Sequence, residues 1–300
     1  MNINETIKLA RREGTVIPAF NIPYLPMVAP VARAVADENS VAIIHVARVE
    51  WEKFSAKSLE DVAGEYAKHQ KPGHTFLGLD HVPAIDEDLK KVDYLSIIRR
   101  AVDAGFLSVM IDGSRLGLLE NISVTREVAD LVHKHGIACE GELGAVMGHE
   151  SGPAKPYEEI FANRLGFTDI EDAARFSRES CCDWLSVAVG NIHGAVAEAT
   201  RNQKKPEARL DVDHIAALHK AAGLPLVLHG GSGIQIDYIR RGIKAGIAKI
   251  NVGTEIRQCY EKALEEKNDI GYAQEAVYAR VRDIIGDMEV KDSRSLLSGD

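Results

Sequence analysis

No stretch of about 18 or more consecutive apolar residues occurs in the 300-residue chain, which excludes a membrane-spanning helix. The opening residues, MNINETIKLARREG, lack the apolar core and small-residue cleavage site of a secretory signal. Cysteine is scarce: Cys139, Cys181, Cys182 and Cys259 follow neither a metal-knuckle nor a disulfide-framework spacing. These absences predict a soluble protein of a reducing, cytoplasmic compartment. Basic charge is also short, 36 Lys and Arg against 45 Asp and Glu for a formal net charge of −9. No overall field is available for gripping nucleic acid, so any anionic ligand must be held locally. The first apolar run is not followed by GxGxxG, which removes the main signal of a doubly wound dinucleotide-binding sheet.

What is present is an alternation. Eight short apolar runs, at 16–21, 41–47, 75–81, 108–114, 137–144, 184–190, 225–231 and 249–254, read as strands of a parallel sheet buried on both faces. Helical stretches at 24–38, 124–135, 170–180, 212–222 and 238–245 separate them. Gly105, Gly136, Gly223 and Gly246 stand where left-handed helix caps belong. Eight such units in about 250 residues predict an α/β protein, a (β/α)₈ TIM barrel, with residues 1–300 forming one domain. Residues 255–300 are expected as C-terminal helices with a polar end from Lys291, packing on the barrel or on a partner subunit of a homodimer or homotetramer. The charged segment 82–94 is expected as an extended loop or an extra helical turn, and 202–209 (NQKKPEAR) as a solvated loop.

Polar residues gather at the strand ends, where a barrel of this kind carries its site. Asn21, Asp80-His81, Asp112, Glu140 and Glu142, Asn191 to Gly194, the run His229 to Gly233 and the run Asn251 to Thr254 all fall there. Three of the eleven histidines, His81, His193 and His229, would come to one rim, and three neutral imidazoles leave Zn²⁺ its full charge and an open position. His45 falls within a strand and is read as structural, and His149 as solvated in a loop. The turn Gly230, Gly231, Ser232, Gly233 precedes a helix, and its backbone N–H groups suit a phosphate. Adjacent strand residues point to opposite faces, so Asp80 and His81 both enter a site only where the strand is ending. Asp80 then either moves a substrate proton or orients a histidine. Asp112 and Glu142 are supporting groups or an alternative metal position, and Glu150 is either a solvated acid or part of a loop closing over substrate.

These residues resemble the class II, metal-dependent ketose-bisphosphate aldolases of the fructose- and tagatose-bisphosphate type. The resemblance runs from about Ala19 to Arg257 and is carried in order by AFN (19–21), LDH (79–81), SVMIDGS (108–114), GELG (141–144), SVAVGNIHG (186–194), LVLHGGSG (226–233) and KINVGTE (249–255). It implies one catalytic Zn²⁺ per subunit on His81, His193 and His229, with Asp80 as acid/base on the C4 hydroxyl. Asp112 and Glu142 match a second or monovalent cation position. Asn21, Gly194, Gly230, Gly231, Ser232, Asn251, Val252, Gly253 and Thr254 would bind dihydroxyacetone phosphate, and Glu150 would exchange its carbon-bound proton.

The chain departs from the family at Gly78, where histidine is usual, at Ala47-Arg48, at Ile22-Pro23-Tyr24 and at Asn191, and its loops after strands three and six look longer. The triose-phosphate half of the site is thus intact and the aldehyde half rewritten, with Arg48 a candidate contact for an anionic group. A small phosphorylated sugar is the expected partner, with an aldehyde other than glyceraldehyde 3-phosphate as one reading. A metal hydrolase and a non-catalytic family member are the alternatives from other classes.

Overall fold

A computed structural model of the chain describes residues 2–144, 156–191, 208–231 and 233–298. Eight parallel strands close into a ring in sequence order, with β1 paired to both β2 and β8. They are β1 (Ile17–Asn21), β2 (Ala42–Ala47), β3 (Thr75–Pro83), β4 (Ser108–Asp112), β5 (Ala138–Leu143), β6 (Trp184–Val187), β7 (Leu226–Leu228) and β8 (Ile247–Val252). The (β/α)₈ barrel expected from the alternation is the one observed. No helix among the described residues is long and apolar enough to cross a membrane.

The helices start and stop for local reasons. Ile170–Ser180 and Val212–Ala222 match the sequence reading and open on Asp169 and Asp211, whose carboxylates accept backbone N–H bonds from the first turn. Gly136 and Gly223 end their segments at φ 70, a left-handed turn that costs glycine little. Several boundaries differ from expectation. β6 stops at Val187 because the next two amides leave the sheet: Ala188 N–H donates to Thr168 Oγ1 (2.8 Å) and Val189 N–H to Asn191 Oδ1 (2.8 Å). β7 is only three residues long, so His229 lies one residue beyond its end. Most of segment 82–94 is the expected loop, with no extra helical turn. β3 runs on to Pro83, and an Ile85–Lys91 bridge draws the two arms of the loop that follows together.

Two apolar layers hold the ring. Inside its N-terminal end, Ile17, Ile43, Phe76, Trp184 and Val227 pack beneath Ile3 and Ile7 of the first helix (Ile3–Glu13). Outside, strand side chains such as Ile44, Leu79, Leu185 and Ile250 meet the surrounding helices.

Beyond β8 the chain forms helices Thr254–Lys267, Ile270–Asp287 and Ser293–Ser298. The segment expected as a polar end is therefore partly helical. Ser293 Oγ accepts the Val41 N–H, and Arg294 N–H donates to Asn39 O. Glu38 ties this region down: it is 5% exposed and accepts from Arg282 Nε and from Lys291 Nζ at 3.1 Å.

The Arg282 and Lys291 hydrogen bonds hold the Glu38 carboxyl below the usual range against its burial. Glu38→Gln is expected to lower stability by about 1–2 kcal/mol, read as a lower urea midpoint at unchanged slope. A depressed folded pKa stabilises above the unfolded value. The difference from wild type is therefore full at neutral pH and shrinks as pH falls below about 4.

Candidate active site

β3 solves the problem of two adjacent site residues with a bulge. Leu79 pairs with Val109 of β4, but the next pair is Val82 with Ile111, so Asp80 and His81 share a space that one residue would fill in a regular ladder. His81 sits at φ 26, a left-handed conformation that costs a residue with a Cβ about 1–2 kcal/mol. The bulge lets Asp80 and His81 both face the interior of the ring. Ligating atoms of Asp80, His81 and His229 lie within 4.8 Å of one another, as do those of His81, Asp112 and Glu142.

The two histidines meet directly, with His229 Nδ1 2.7 Å from His81 Nε2 and the rings edge-to-face at 4.6 Å. Behind His229, its Nε2 lies 2.8 Å from Glu140 Oε1, and Glu140 Oε2 accepts from Lys249 Nζ at 2.6 Å. All three are buried, Lys249 completely. Burial alone would raise the Glu140 carboxyl, but Lys249 and His229 bring it down to about 2. An ionised Glu140 fixes the proton of His229 on Nε2 and leaves the Nδ1 lone pair facing the site. On His81, the Nδ1 side faces Asp112 Oδ2 (3.6 Å) and Glu142 Oε2 (3.8 Å). Burial opposes its charge, yet Asp80, Asp112 and Glu142 raise it above the ordinary histidine range.

Asp80 is held from both sides. Its Oδ2 accepts from Asn21 Nδ2 (2.8 Å) and its Oδ1 from Asn251 Nδ2 (2.9 Å). Against its burial, His81, His45, His229 and Lys249 keep the carboxyl far below its usual range. Asn21 and Asn251, expected among the substrate-binding residues, thus commit their amide N–H groups to Asp80. Asn251 Oδ1 remains buried without a hydrogen-bond partner. Asp112 is likewise held low against burial, chiefly by His81, whereas burial and Asp112 push Glu142 well up.

Gly230, Gly231, Val252, Gly253 and Thr254 line the neighbouring β7 and β8 ends. Gly230 turns at φ 67, and Gly253 opens the helix Thr254–Lys267 without a side-chain cap, leaving first-turn N–H groups at the rim. Asn191 joins this side, donating from Nδ2 to the His229 carbonyl at 2.8 Å. Glu150, His193, Gly194 and Ser232 lie outside the described residues.

Four residues gain a place that their sequence reading did not give them. Lys249 stands inside an apolar run, and its partner Glu140 lies across the ring on β5. His45, read as structural, has its Nδ1 3.7 Å from Asp80 Oδ1, and burial followed by Lys249 lowers its pKa to about 3. It pairs in register with Gly78, where a Cβ would stand 2.5 Å from the imidazole. The histidine usual at position 78 would thus collide with one supplied from β2. Glu50, in the helix after β2, accepts the Ala47 N–H (2.7 Å) and is pushed up to about 8 by burial. Arg48, a candidate contact for an anionic group, faces Glu52 Oε1 (2.8 Å) and Asp86 Oδ2 (3.9 Å). A polar residue inside an apolar strand was the available signal for Lys249 and His45.

The donor set fits a divalent cation of the zinc type. His229 presents a lone-pair nitrogen backed by a carboxylate, His81 faces it, and Asp80 supplies a nearby oxygen. Glu142 Oε2 is buried there without a hydrogen-bond partner, as a group awaiting a cation would be.

The family model for class II fructose-bisphosphate aldolase matches residues 1–294. The chain is 32% identical over 257 residues to the 6-phospho-5-dehydro-2-deoxy-D-gluconate aldolase of Bacillus subtilis, covering 85% of this chain and 80% of that one. It is 40% identical over 157 residues to the enzyme of the same name from Shouchella clausii, a stretch that is 52% of this chain and about half (48%) of that enzyme. The crystal structure of the YdjI aldolase of Escherichia coli K12 superposes with a TM-score of 0.77 at 27% identity, covering 97% of each chain. With a family match that spans the ring and its site together, the chain belongs to the class II fructose-bisphosphate aldolase family.

Proposed function

We propose that the chain is a metal-dependent aldolase that cleaves and forms a ketose phosphate, with dihydroxyacetone phosphate as the ketone half. The observation that carries this reading is the facing pair His81 and His229, with the His229 proton fixed by Glu140 and Lys249, beside an ionised and doubly held Asp80. Zn²⁺, held by His81, His229 and His193, would supply a Lewis acid that polarises the ketone oxygen.

The chain's own groups do the rest. In cleavage, Asp80 accepts the proton of the hydroxyl on the carbon that becomes the aldehyde, and in synthesis it returns that proton. Asn21 and Asn251 keep its oxygens aimed, and the histidines and Lys249 around it keep it ionised at the start of cleavage. Backbone N–H groups of Gly230, Gly231, Ser232, Val252, Gly253 and Thr254, with Gly194, would hold the phosphate and so fix the reacting carbon. Glu150 would exchange the carbon-bound proton of the triose, and Asp112 with Glu142 would take an auxiliary cation.

Fructose- and tagatose-type bisphosphates are one substrate reading. The names of the Bacillus and Shouchella relatives favour 6-phospho-5-dehydro-2-deoxy-D-gluconate as a second. Both compounds carry a ketone beside a phosphorylated carbon and require the same triose-phosphate half. The test is release of dihydroxyacetone phosphate, coupled to NADH oxidation, from ketose 1-phosphates, 1,6-bisphosphates and the phosphogluconate. Release that EDTA abolishes and zinc restores is expected. Release insensitive to chelator, or none from any compound by the zinc-loaded protein, overturns the reading.

A further inference from the structure

The helix that opens at the β8 turn carries an acid where its proposed ligand is an anion. Gly253 begins Thr254–Lys267 without a side-chain cap, and Glu255 stands in the first turn. With the phosphate held at the β7 and β8 turns, a premise taken from the proposed function, Glu255 shares that turn with it. First-turn N–H groups and the helix dipole draw a carboxylate as they draw a phosphate, so the two compete for one field.

The fold separates the competitors with a cation from outside the ring. Arg280, in the helix Ile270–Asp287, donates from Nη2 to Glu255 Oε1. Its Nη1 lies 3.5 Å from Asp283 Oδ2, three residues along its own helix. A cavity of about 120 Å³ opens between that helix and the β7 and β8 turns, and Gly231, Gly233, Val252, Glu255, Arg280 and Asp287 are among its walls. The pair thus stands beside the turns proposed to hold the phosphate, and Arg280 is the cation on those walls among the described residues.

We propose that Arg280 is a positioning residue for phosphate binding. It holds the Glu255 carboxylate away from the first-turn N–H groups and offsets its charge, which leaves those groups to the phosphate of the ketone half. Arg280 acts through Glu255 and touches no substrate.

The zinc-loaded protein and its variants are compared by deuterium exchange into dihydroxyacetone phosphate in D₂O, followed by NMR at low ionic strength. Arg280→Met keeps an apolar stem and frees Glu255. It is expected to raise KM about threefold to tenfold while kcat for exchange changes by less than about twofold. Glu255→Gln removes the competing charge and is expected to lower KM about twofold to fivefold. The double variant is expected within about twofold of wild type, and both single shifts shrink as salt rises toward about 0.5 M. Asp283 and Asp287 are the same in every protein compared, so their charges cancel. Lost packing alone would raise KM in both single variants and would not respond to salt.

A KM for Arg280→Met within about twofold of wild type overturns the inference, as does an unchanged or raised KM for Glu255→Gln, or shifts that salt leaves intact. If Arg280→Met does not fold, Glu255→Gln and its salt dependence decide alone. In each of these cases wild-type exchange leaves the dihydroxyacetone phosphate half standing. No exchange by the zinc-loaded wild type overturns the aldolase reading itself, and this inference with it.

Discussion

Asp80→Asn is expected to lower kcat for aldol cleavage by about 10²–10⁴-fold while KM changes little. An amide cannot take the hydroxyl proton, and general-base catalysis contributes on that scale. The substitution keeps the shape of the side chain but not its hydrogen bonding. Asp80 accepts from the amide groups of both Asn21 and Asn251, and an asparagine has only one oxygen to offer two donors. One of the three amides must therefore turn or lose its partner, at about 1–2 kcal/mol of stability. Deuterium exchange into dihydroxyacetone phosphate should survive, because abstraction of the carbon-bound proton is assigned to another group. Measuring cleavage and exchange side by side separates the two steps. Cleavage within tenfold of wild type would show that Asp80 orients its neighbours and moves no proton.

The second large effect is expected far from any substrate. Lys249→Met removes the cation from a fully buried pair and leaves Glu140 charged among apolar strands, at a cost of about 3–5 kcal/mol. Glu140 can escape that cost by taking up a proton. It would then donate to His229 Nε2, which moves the imidazole proton to Nδ1, the nitrogen facing His81. A protonated Nδ1 has no lone pair for a metal, so zinc affinity is expected to fall about 10–100-fold. Adding Glu140→Gln should recover part of the stability, since a glutamine oxygen can still accept from His229. Urea unfolding and competition with a chromophoric zinc chelator read the two consequences independently. A Lys249→Met protein as stable as wild type, with unchanged zinc affinity, would remove the triad from any positioning role.

The barrel was legible because parallel strands buried on both faces become nearly unbroken apolar runs, and glycine marks several helix ends. Boundaries were less legible where backbone groups leave the sheet for side chains. Residues 188 and 189 are as apolar as a strand, but Thr168 and Asn191 take their N–H groups. The positions of Asp80, His81 and His229 followed from strand ends, while the bulge that admits both Asp80 and His81 leaves no trace in a pattern of polar and apolar letters. Lys249 and His45 were hidden for a different reason. Each is a polar letter in an apolar run, and its meaning depends on a partner that only closure of the ring brings near. Arg48 shows the converse. A basic residue at the right rim reads as a candidate anion contact, and the two carboxylates that face it come from folding rather than from any pattern of letters.

The fit between His45 and Gly78 has a consequence for descent. An added Cβ at 78 meets the His45 imidazole at 2.5 Å and Ser108 Oγ at 2.7 Å, so a larger residue there requires a smaller one at 45 and room beside Ser108. Shrinking 45 first opens a void beside Asp80 at the centre of the chemistry. The two positions, on neighbouring strands and 33 residues apart in the chain, are therefore expected to vary together. Moving the imidazole from β2 to β3 requires changes on both strands, and either change alone is expected to leave a clash or a void beside Asp80.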